Sequence, residues 1–565
     1  MFSAARFSWR LTLVSAVLAV VPAHASNQVV TNCSNETELR ADLTAMQASG
    51  GGTLTFNCGV ATLALTSVLP SIATATTVDG DNKVTVSGSN NSRIFVVNGG
   101  GMLTLENIVL TNGSSTGDGG AIYNGGSLVL KHATIRNSAA QFSGGAFVSY
   151  GPVSIDDSEL AFNKATNGGA VYPRFPSSVV TITRSVLHDN EATGIAGEGN
   201  GGAVFLWDGA TVAISDSEIR DNTANRGGGI HTNFSNSSVS VENTRILRNS
   251  ANGSTGGGIH LIGTPLTMMD VELAENFADA SGGGLYYSNG SNATISRSTF
   301  RANTALATGG GISTSLSTMS LVNVTISGNY SGNVGGGIFN GNGNVSLVNA
   351  TITDNDSNDG HALANSTDPA HSITLRNTLI VGNADTTNCG DSAYKTIVSA
   401  DGNLSDDTSC TTYFNKLHDL NGAQVDAKLG PLGLHGGATP THVPQPGSAA
   451  VDAGIVAGAP GTDQRELARP QGPAVDAGAV EVAACSGPSS ALCGDANQNA
   501  SLSASDALIA LRAAVGDANC ALWLCDYNGN GSVSATDALS ILRASVGQMT
   551  TPLCPPKWDC RGLAS

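Results

Sequence analysis

Along most of this chain, apolar residues alternate with small polar ones. Val239-Ser240-Val241, Ala293-Thr294-Ile295 and Val345-Ser346-Leu347 show the pattern. Period two in runs of four to six residues predicts short strands. Each run is followed by Ser or Thr, an apolar residue and then Asn, as in Ile246…Asn249, Phe300…Asn303 and Ile326…Asn329. The Asn residues closing these runs are Asn112, Asn137, Asn163, Asn190, Asn222, Asn249, Asn276, Asn303, Asn329, Asn355 and Asn383. Their successive spacings are 25, 26, 27, 32, 27, 27, 27, 26, 26 and 28. A period near 27 sustained this long marks an internal repeat. Gly-rich turns recur with it: Gly119-Gly120-Ala121-Ile122, Gly201-Gly202-Ala203-Val204, Gly228-Gly229-Ile230 and Gly336-Gly337-Ile338 among others. A repeat of this length holds three short strands and three turns, which is one coil of a parallel β-helix. With coils spaced as strands are, the Asn-marked ones predict a rod of about 50 Å. Asn tolerates the left-handed backbone of a sharp corner, and stacked copies can bond amide to amide, so these Asn read as turn chemistry. No stripe of helical period is expected before about residue 500.

Composition narrows the function classes. Of 565 residues, 12% are charged and 70 are Gly, which removes coiled coils; 40% are hydrophobic, enough to bury a core. The net charge of −18 argues against nucleic acid and anionic membrane surfaces as partners. Residues 1–25, with Arg6, Arg10, the apolar run Leu11–Val21 and Ala23-His24-Ala25, read as a secretory signal. No second apolar run is long enough to span a membrane. All ten Cys follow that signal, so disulfides are expected, as is a secreted or bacterial cell-surface location.

The repeats, with their Gly-Gly-Ala-aliphatic turns and following Asn, resemble those of bacterial right-handed β-helix surface proteins, including the polymorphic outer-membrane-protein repeats. The resemblance implies an all-β, right-handed parallel β-helix (a pectate-lyase-like solenoid) over 101–400, with an N-terminal cap and first coils over 26–100. The opening segment (Cys33, Leu39-Arg40-Ala41, Gly50-Gly51-Gly52, Phe56-Asn57-Cys58, Val78-Asp79-Gly80) resembles the start of secreted β-helix proteins, with Cys33 and Cys58 expected to bridge. Residues 429–481, with Gly436-Gly437-Ala438-Thr439-Pro440-Thr441-His442, Asp452-Ala453-Gly454, Asp463-Gln464-Arg465 and Asp476-Ala477-Gly478, resemble a choice-of-anchor region. The segment 401–482 is therefore expected to cap the last coil, with Cys389 and Cys410 bridged just before it. Within it, His442, Asp452, Asp463, Arg465 and Asp476 read as structural ion pairs ahead of a catalytic set.

The strongest chemical motif lies at the end. Residues 494–516 and 525–547 are two copies of one pattern, 31 residues apart. Each places oxygen-bearing residues at positions 1, 3, 5, 9 and 12 of a loop, with a helix starting near position 12. That is the ligand spacing of an EF-hand-type Ca2+ loop. The first would use Asp495, Asn497, Asn499, the Ser501 carbonyl, Ser503 and Asp506; the second Asp526, Asn528, Asn530, the Ser532 carbonyl, Ser534 and Asp537. With Asp-Ala-Leu opening each helix, the pair resembles a type I dockerin module over 483–565, which implies calcium-dependent docking to a cohesin-like partner. On that resemblance Ala504-Ser505 and Ala535-Thr536 sit at contacting positions. Ala500 departs from the usual Gly, which Gly531 keeps, and Asn499 and Asn530 replace a charged ligand. Leu508, Leu511 and Val515, matched by Leu539, Leu542 and Val546, are expected to pack the two helices on each other. Cys485, Cys493, Cys520, Cys525, Cys554 and Cys560 flank the helices; sequence leaves their pairing open, and without a paired CxxC they read as staples ahead of a zinc site.

Many polysaccharide lyases and hydrolases use this fold, yet the galacturonase-type paired Asp with Gly-His-Gly and the pectate-lyase Asp cluster with its Arg are not visible here. One column stands out: the residue after each repeat's aliphatic is Tyr123, Val148, Tyr172, Phe205, His231, His260, Tyr286, Ser313 and Phe339. Alternation points it away from Ile122, Ile230 and Ile338, either as an exposed strip for sugar rings or as an internal aromatic stack. The long repeat between Asn190 and Asn222, with Glu191 and Glu198 near Trp207 and Asp208, is the expected groove. The reading is a non-catalytic β-helix for adhesion or contact with a polysaccharide or cell-surface glycan through Tyr123, Tyr172, Phe205, Trp207, His231, His260, Tyr286 and Phe339. The alternative is a polysaccharide-degrading lyase or glycoside hydrolase.

Overall fold

The computed structural model describes residues 25–482 and 493–552, apart from 195–196, 233, 235, 291, 367–369, 384–386, 391–395, 446, 498, 500, 519, 521, 529–531 and 549–551. The signal assigned to residues 1–25 thus lies outside the described residues, save for Ala25.

The repeats wind into a right-handed parallel β-solenoid. Each of the ten coils from Ser114–Ser115 to Asp356–Ser357 contributes four strands, one more than expected. One coil shows the order: Ser238–Glu242 in sheet 1, Arg245–Leu247 in sheet 2, Ser250–Ala251 in sheet 3 and Ile259–Ile262 in sheet 4. The sheets hold 15, 15, 10 and 12 strands respectively. The extra strand is only two residues long, too short to show a period. It lies between the Asn corner and the Gly-rich turn.

Every pairing between coils is parallel and in register. Val239 lies over Leu266, Ile246 over Leu273 and Ile230 over Ile259. One face of each strand therefore stacks into a continuous core, with Ile246, Ile259, Leu273, Ile312 and Ile338 wholly buried. Removing these side chains from water drives the winding, at about 25 cal/mol per Å² of apolar area.

The corner Asn do more than turn the chain. Asn163, Asn190, Asn222, Asn249, Asn276, Asn303, Asn329 and Asn355 are buried and form a ladder. At Asn276 the side-chain oxygen accepts the backbone N–H (2.9 Å) and Nδ2–H (3.1 Å) of Asn249. Its own Nδ2 donates to Ile246 O and to Asn303 Oδ1, each at 2.9 Å. The left-handed residue is mostly the one before: Phe162, Asp189, Asp221, Arg248, Glu275 and Ala302 have φ of 50–57°. Only Asn112 and Asn137 adopt that conformation themselves, and there Ser138 takes the ladder place, its N–H donating to Asn163 Oδ1 (3.1 Å). The spacing of 25 and then 26 residues is the trace of that one-residue offset.

A helix that the sequence reading missed closes the first end. Helix α1 (Thr37–Ala48) buries Leu39, Leu43 and Met46, a stripe at i, i+4 and i+7. The Cys33–Cys58 disulfide ties its approach to the strand that follows, and Gln28–Val30 pairs with Leu54–Phe56 at the edge of sheet 1. Cys389–Cys410 is present near the other end.

Residues 425–482 do not sit on the last coil as a lid. They run back along the outer face of sheet 2 as a strap. Thr299 Oγ1 donates to Pro440 O (2.6 Å), Thr325 Oγ1 to Gln464 Oε1 (2.8 Å) and Asn323 Nδ2 to Thr462 O (2.8 Å). Leu379, Leu404, Val425, Ala450 and Ala477 form a small core between strap and sheet. Sheet 2 changes character on that face: Glu159, Glu218, Arg245 and Glu272 stand in the earlier coils, Thr299, Thr325, Ser327, Thr351 and Leu379 beneath the strap, and the Arg301 left there is paired with Glu272. Charges would not survive that burial unpaired.

Two further helices, α2 (Ala504–Ala514) and α4 (Ala535–Ser545), flank the short α3 (Leu522–Cys525). They pack on each other through Ala507, Ala510, Ala538 and Ile541, with Leu524 and Tyr527. The expected seam was different, and Leu508, Leu511, Val515, Leu539, Leu542 and Val546 are all exposed, by 41–72%.

Candidate functional site

The aromatic column leaves sheet 4 on the face opposite the core, as alternation requires, but it does not form the exposed strip. In each coil the Gly-rich turn between sheets 3 and 4 lies over it. Gly227 has φ +59°, and a Cβ there would stand 2.8 Å from His231 Cβ. Gly256 approaches His260 Cβ at 2.5 Å and Gly335 approaches Phe339 Cβ at 2.9 Å on the same measure. Turn and column are therefore one packed feature. Tyr172, Phe205, His231 and His260 are buried, while Tyr123, Tyr286, Phe339 and Trp207 are half-buried. The rings stack from coil to coil: Tyr172–Phe205 5.3 Å, Phe205–His231 5.1 Å, His231–His260 4.5 Å and His260–Tyr286 4.9 Å between centroids.

The two histidines are neutral parts of this stack. Burial, and secondarily His260, holds His231 well below the ordinary imidazole pKa; burial, and secondarily Arg226, holds His260 at about 3. Neither ring nitrogen of His231 and not Nε2 of His260 has a hydrogen-bond partner among the described residues.

An accessible aromatic surface exists one step further along. Residues two positions beyond the column share its face, and three of them are Tyr150, Arg174 and Trp207. Tyr150 lies 5.3 Å from Tyr123 and 6.0 Å from Phe175, which is 38% exposed; Trp207 lies 4.6 Å from Phe234. The Arg174 guanidinium sits 5.4–5.6 Å from the ring centres of Tyr150, Tyr172 and Phe175. It donates to Tyr150 Oη (3.0 Å) and stands 3.6 Å from Asp118. Flat rings with a fixed cation and a carboxylate can stack on sugar rings and bond their hydroxyls. The sequence reading found Tyr123 and Trp207 but stopped the period-two rule one residue pair short of Tyr150 and Arg174.

The acidic loop of the long repeat is no carboxylate groove among the described residues. Glu191 pairs with Lys164 of the preceding coil (2.8 Å), and Asp208 accepts from Asn236 Nδ2 (3.1 Å). Acids elsewhere on the rod are spent likewise on neighbouring coils: Arg297–Asp270 (2.6 Å), Arg301–Glu272 (2.6 Å), Arg248–Asp221 (2.8 Å) and Arg245–Glu218.

Two of the strap's charge pairs hold the strap together. Arg465 grips Asp463 (2.9 Å) and Arg469 grips Glu481 (2.8 Å), each pair essentially unexposed. Burial and the nearby Glu481 carboxylate push Asp476 up to about 7. A cavity of about 640 Å³ opens where the strap's hairpin meets sheet 2, lined by Arg301, Ser327, Asp354, Asp406, Lys428 and His442 among others. Burial lowers the His442 pKa.

In the C-terminal module both loops share one geometry. Asp495, Asp506, Asp526 and Asp537 are fully buried. Asp506 accepts from the N–H of Asn497 (2.9 Å), the N–H of Ser503 (2.9 Å) and the Ser503 hydroxyl (2.7 Å). Asp537 repeats this with Asn528, at 3.0 Å, and with Ser534, at 2.9 and 2.6 Å. Asn499 N–H donates to Asp495 Oδ1 (3.0 Å) and Asn497 Oδ1 (3.1 Å), drawing positions 1, 3 and 5 together. Asn530 lies outside the described residues, as do Ala500 and Gly531; Ser501 and Ser532 are exposed. No Lys or Arg pairs with Asp506 or Asp537 among the described residues. Asp506 and Asp537, met by backbone N–H groups and Ser hydroxyls, are carboxylates of the kind a hard cation could share. Ser505 and Thr536 are exposed and accept from Asn497 Nδ2 and Asn528 Nδ2, each at 3.2 Å. Cys520 bridges Cys525, and Cys493 is disulfide-bonded as well; Cys485, Cys554 and Cys560 lie outside the described residues.

No family model and no curated protein matches this chain. Two solved structures similar to it are a pectate lyase, Pel9A, and a periplasmic alginate epimerase, AlgG. The first is 14% identical with a TM-score of 0.30, over 81% of this chain and 97% of that one. The second is 12% identical with a TM-score of 0.33, over 65% and 81%.

Proposed function

We infer that this is an extracellular glycan-contacting rod, attached to a partner protein through its C-terminal calcium-binding module. The observation that carries the docking role is the exposed apolar face of that module. Leu508, Leu511 and Val515 on α2 are matched by Leu539, Leu542 and Val546 on α4, so the same patch is presented twice. An apolar face left uncovered on so small a unit marks an interaction surface. Ser505 and Thr536 flank it at the helix starts, which suits a cohesin-like partner. Ca2+ would be held by Asp495, Asn497, Asn499 and Asp506 in one loop and by Asp526, Asn528 and Asp537 in the other, and would supply the charge that fixes both loops. Glycan contact falls to Tyr123, Tyr150, Phe175 and Trp207 around Arg174.

Two measurements test this. Calorimetric titration of the full chain with Ca2+ should show binding heat at two sites. A cohesin domain should then bind the loaded chain, and Leu508→Asp with Leu539→Asp should abolish that binding while leaving Ca2+ affinity unchanged. Absence of Ca2+ heat removes the docking reading. For the rod, polygalacturonate and alginate gels should retard the chain, and Phe175→Ala with Trp207→Ala should lose the retardation.

A further inference from the structure

The cavity beneath the strap contains an arrangement that neither glycan contact nor docking uses. Ser327 ends a sheet-2 strand (Thr325–Ser327), with Ile326 turned into the core and both neighbours turned out. His442 comes from the strap, where Leu429 pairs antiparallel with Pro444 and Gly433 with Thr441. The two side chains meet at 2.9 Å between Ser327 Oγ and His442 Nε2. The other imidazole nitrogen, Nδ1, stands 2.8 Å from Gly430 O. A carbonyl can only accept, so Nδ1 carries the proton. Nε2 of the neutral ring is therefore the acceptor, and the Ser327 hydroxyl donates to it. That is the orientation in which a histidine takes a proton from a serine that attacks, with the Gly430 carbonyl as the group that fixes the ring. The Asp354 carboxylate lies 3.9 Å from the same Nε2, where it stabilises the imidazolium once formed.

The surroundings suit the chemistry. Both residues line the cavity of about 640 Å³, which has room for a small acyl ester. The backbone N–H of Gly328 is committed to Thr353 O (3.2 Å), so the developing oxyanion has to rest on a side-chain cation. Arg301 is held by Glu272 and Glu275. Lys428 also lines the cavity, and its nearest carboxylate, Asp426, is 3.9 Å away.

We propose that Ser327 and His442 form a nucleophile–base pair that hydrolyses small acyl esters in the cavity between strap and sheet. Ser327 Oγ bonds to the ester carbonyl carbon and passes its proton to Nε2. The carbon–oxygen bond to the alcohol breaks, and the alcohol leaves with that proton. Water then adds to the acyl-serine by the same route, releasing the acid and restoring Ser327. Lys428 faces the oxyanion in both halves.

A small fluorophosphonate tests the pair directly on the full chain. Intact mass and peptide mapping should show one adduct, on Ser327. The chain should also hydrolyse p-nitrophenyl acetate, and Ser327→Ala should return that rate to the uncatalysed background. His442→Gln can still accept the serine's hydrogen bond and hold the strap, yet it removes the base, so labelling should slow at least 100-fold with the melting curve unchanged. No adduct on the native chain under excess reagent, or an adduct on another residue, overturns the proposal whatever the variants do. The glycan and docking measurements are independent of this outcome.

Discussion

In the rod, each inward Ile, Leu or Val has its counterpart one coil above and one coil below. In the C-terminal module, two helices of eleven residues meet each other and the short stretch around Leu524 and Tyr527, with no repeating layer above or below among the described residues. The rod can therefore bury every apolar residue its period predicts, and it does. The module cannot. A helix pair brings one line of each helix into contact, and that line is taken by Ala507, Ala510, Ala538 and Ile541. Small residues allow close approach of the two axes, and the longer Leu and Val side chains are left outside. The same rule of amphipathic spacing thus yields core in a stacked array and surface in an isolated pair. Polar groups differ as well. The rod buries amides that satisfy one another, whereas the module buries Asp506 and Asp537, whose carboxylates accept from backbone N–H groups and Ser hydroxyls.

The largest effect that would test this contrast is in the ladder. Asn276→Ala leaves the Asn249 N–H, one of the two Asn249 Nδ2 hydrogens and the Ile246 carbonyl without their partners in the core, while Asn249 Nδ2 keeps its bond to Ile219 O. Each buried unsatisfied group costs about 1–3 kcal/mol, so a loss of at least about 3 kcal/mol is expected. Because solenoid coils unfold locally, amide exchange across residues 246–303 is the measurement. A loss below about 1 kcal/mol would show that the ladder is decoration on a core that suffices alone.

Next comes acid. His231 and His260 have folded pKa values below the ordinary 6.5, His260 at about 3. The unfolded chain then binds protons that the folded chain refuses. The stability they permit is full above pH 6.5 and is lost as pH falls from there toward 3. Melting temperature should drop over that window more steeply than in a His231→Phe, His260→Phe variant. Phe is tolerated at this position in other coils, as Phe205 and Phe339 show. Equal slopes would mean the stack opens to admit water.

These two predictions also show what the sequence carried and what it did not. The coil period, the inward aliphatics and the corner Asn were readable because each is repeated about ten times, and repetition separates signal from chance. The fourth strand was not, since two residues have no period. Helix α1 is a single event whose stripe of Leu39, Leu43 and Met46 sits among strand-like neighbours. The strap depended on outward Thr and Ser, which read as ordinary strand residues until something is seen to cover them. The two C-terminal loops were legible for the same reason as the coils, since each is followed by a helix and the pair occurs twice. The sequence reading missed the Ser327–His442 contact, because the two residues are 115 positions apart and no repeat relates them.

A smaller pair of effects compares one glycine in each region. Gly227 turns over His231 at φ +59°, and a Cβ there would meet Ile230 O at 2.4 Å. Gly516 ends the first module helix at φ +78° with nothing within 4 Å of a Cβ. Gly227→Ala should cost about 3 kcal/mol, from backbone strain and displaced backbone together. Gly516→Ala should cost about 1 kcal/mol, from the left-handed conformation alone. Denaturant titration followed by amide exchange in each region separates the two. Similar losses would mean that the column packs loosely enough to yield.

The smallest expected effect is the most telling for function. Leu539 is 46% exposed while Ile541, two residues on, is wholly buried. Ile541→Ala should cost about 2–4 kcal/mol in the module. Leu539→Ser should change its stability by no more than about 0.5 kcal/mol. A leucine that contributes nothing to folding, and is matched by Leu508 on the other helix, would support the proposal that this face meets a partner. If Leu539→Ser instead destabilised the calcium-loaded module as Ile541→Ala does, the apolar face would be a covered part of this chain, and the docking role would lose its basis.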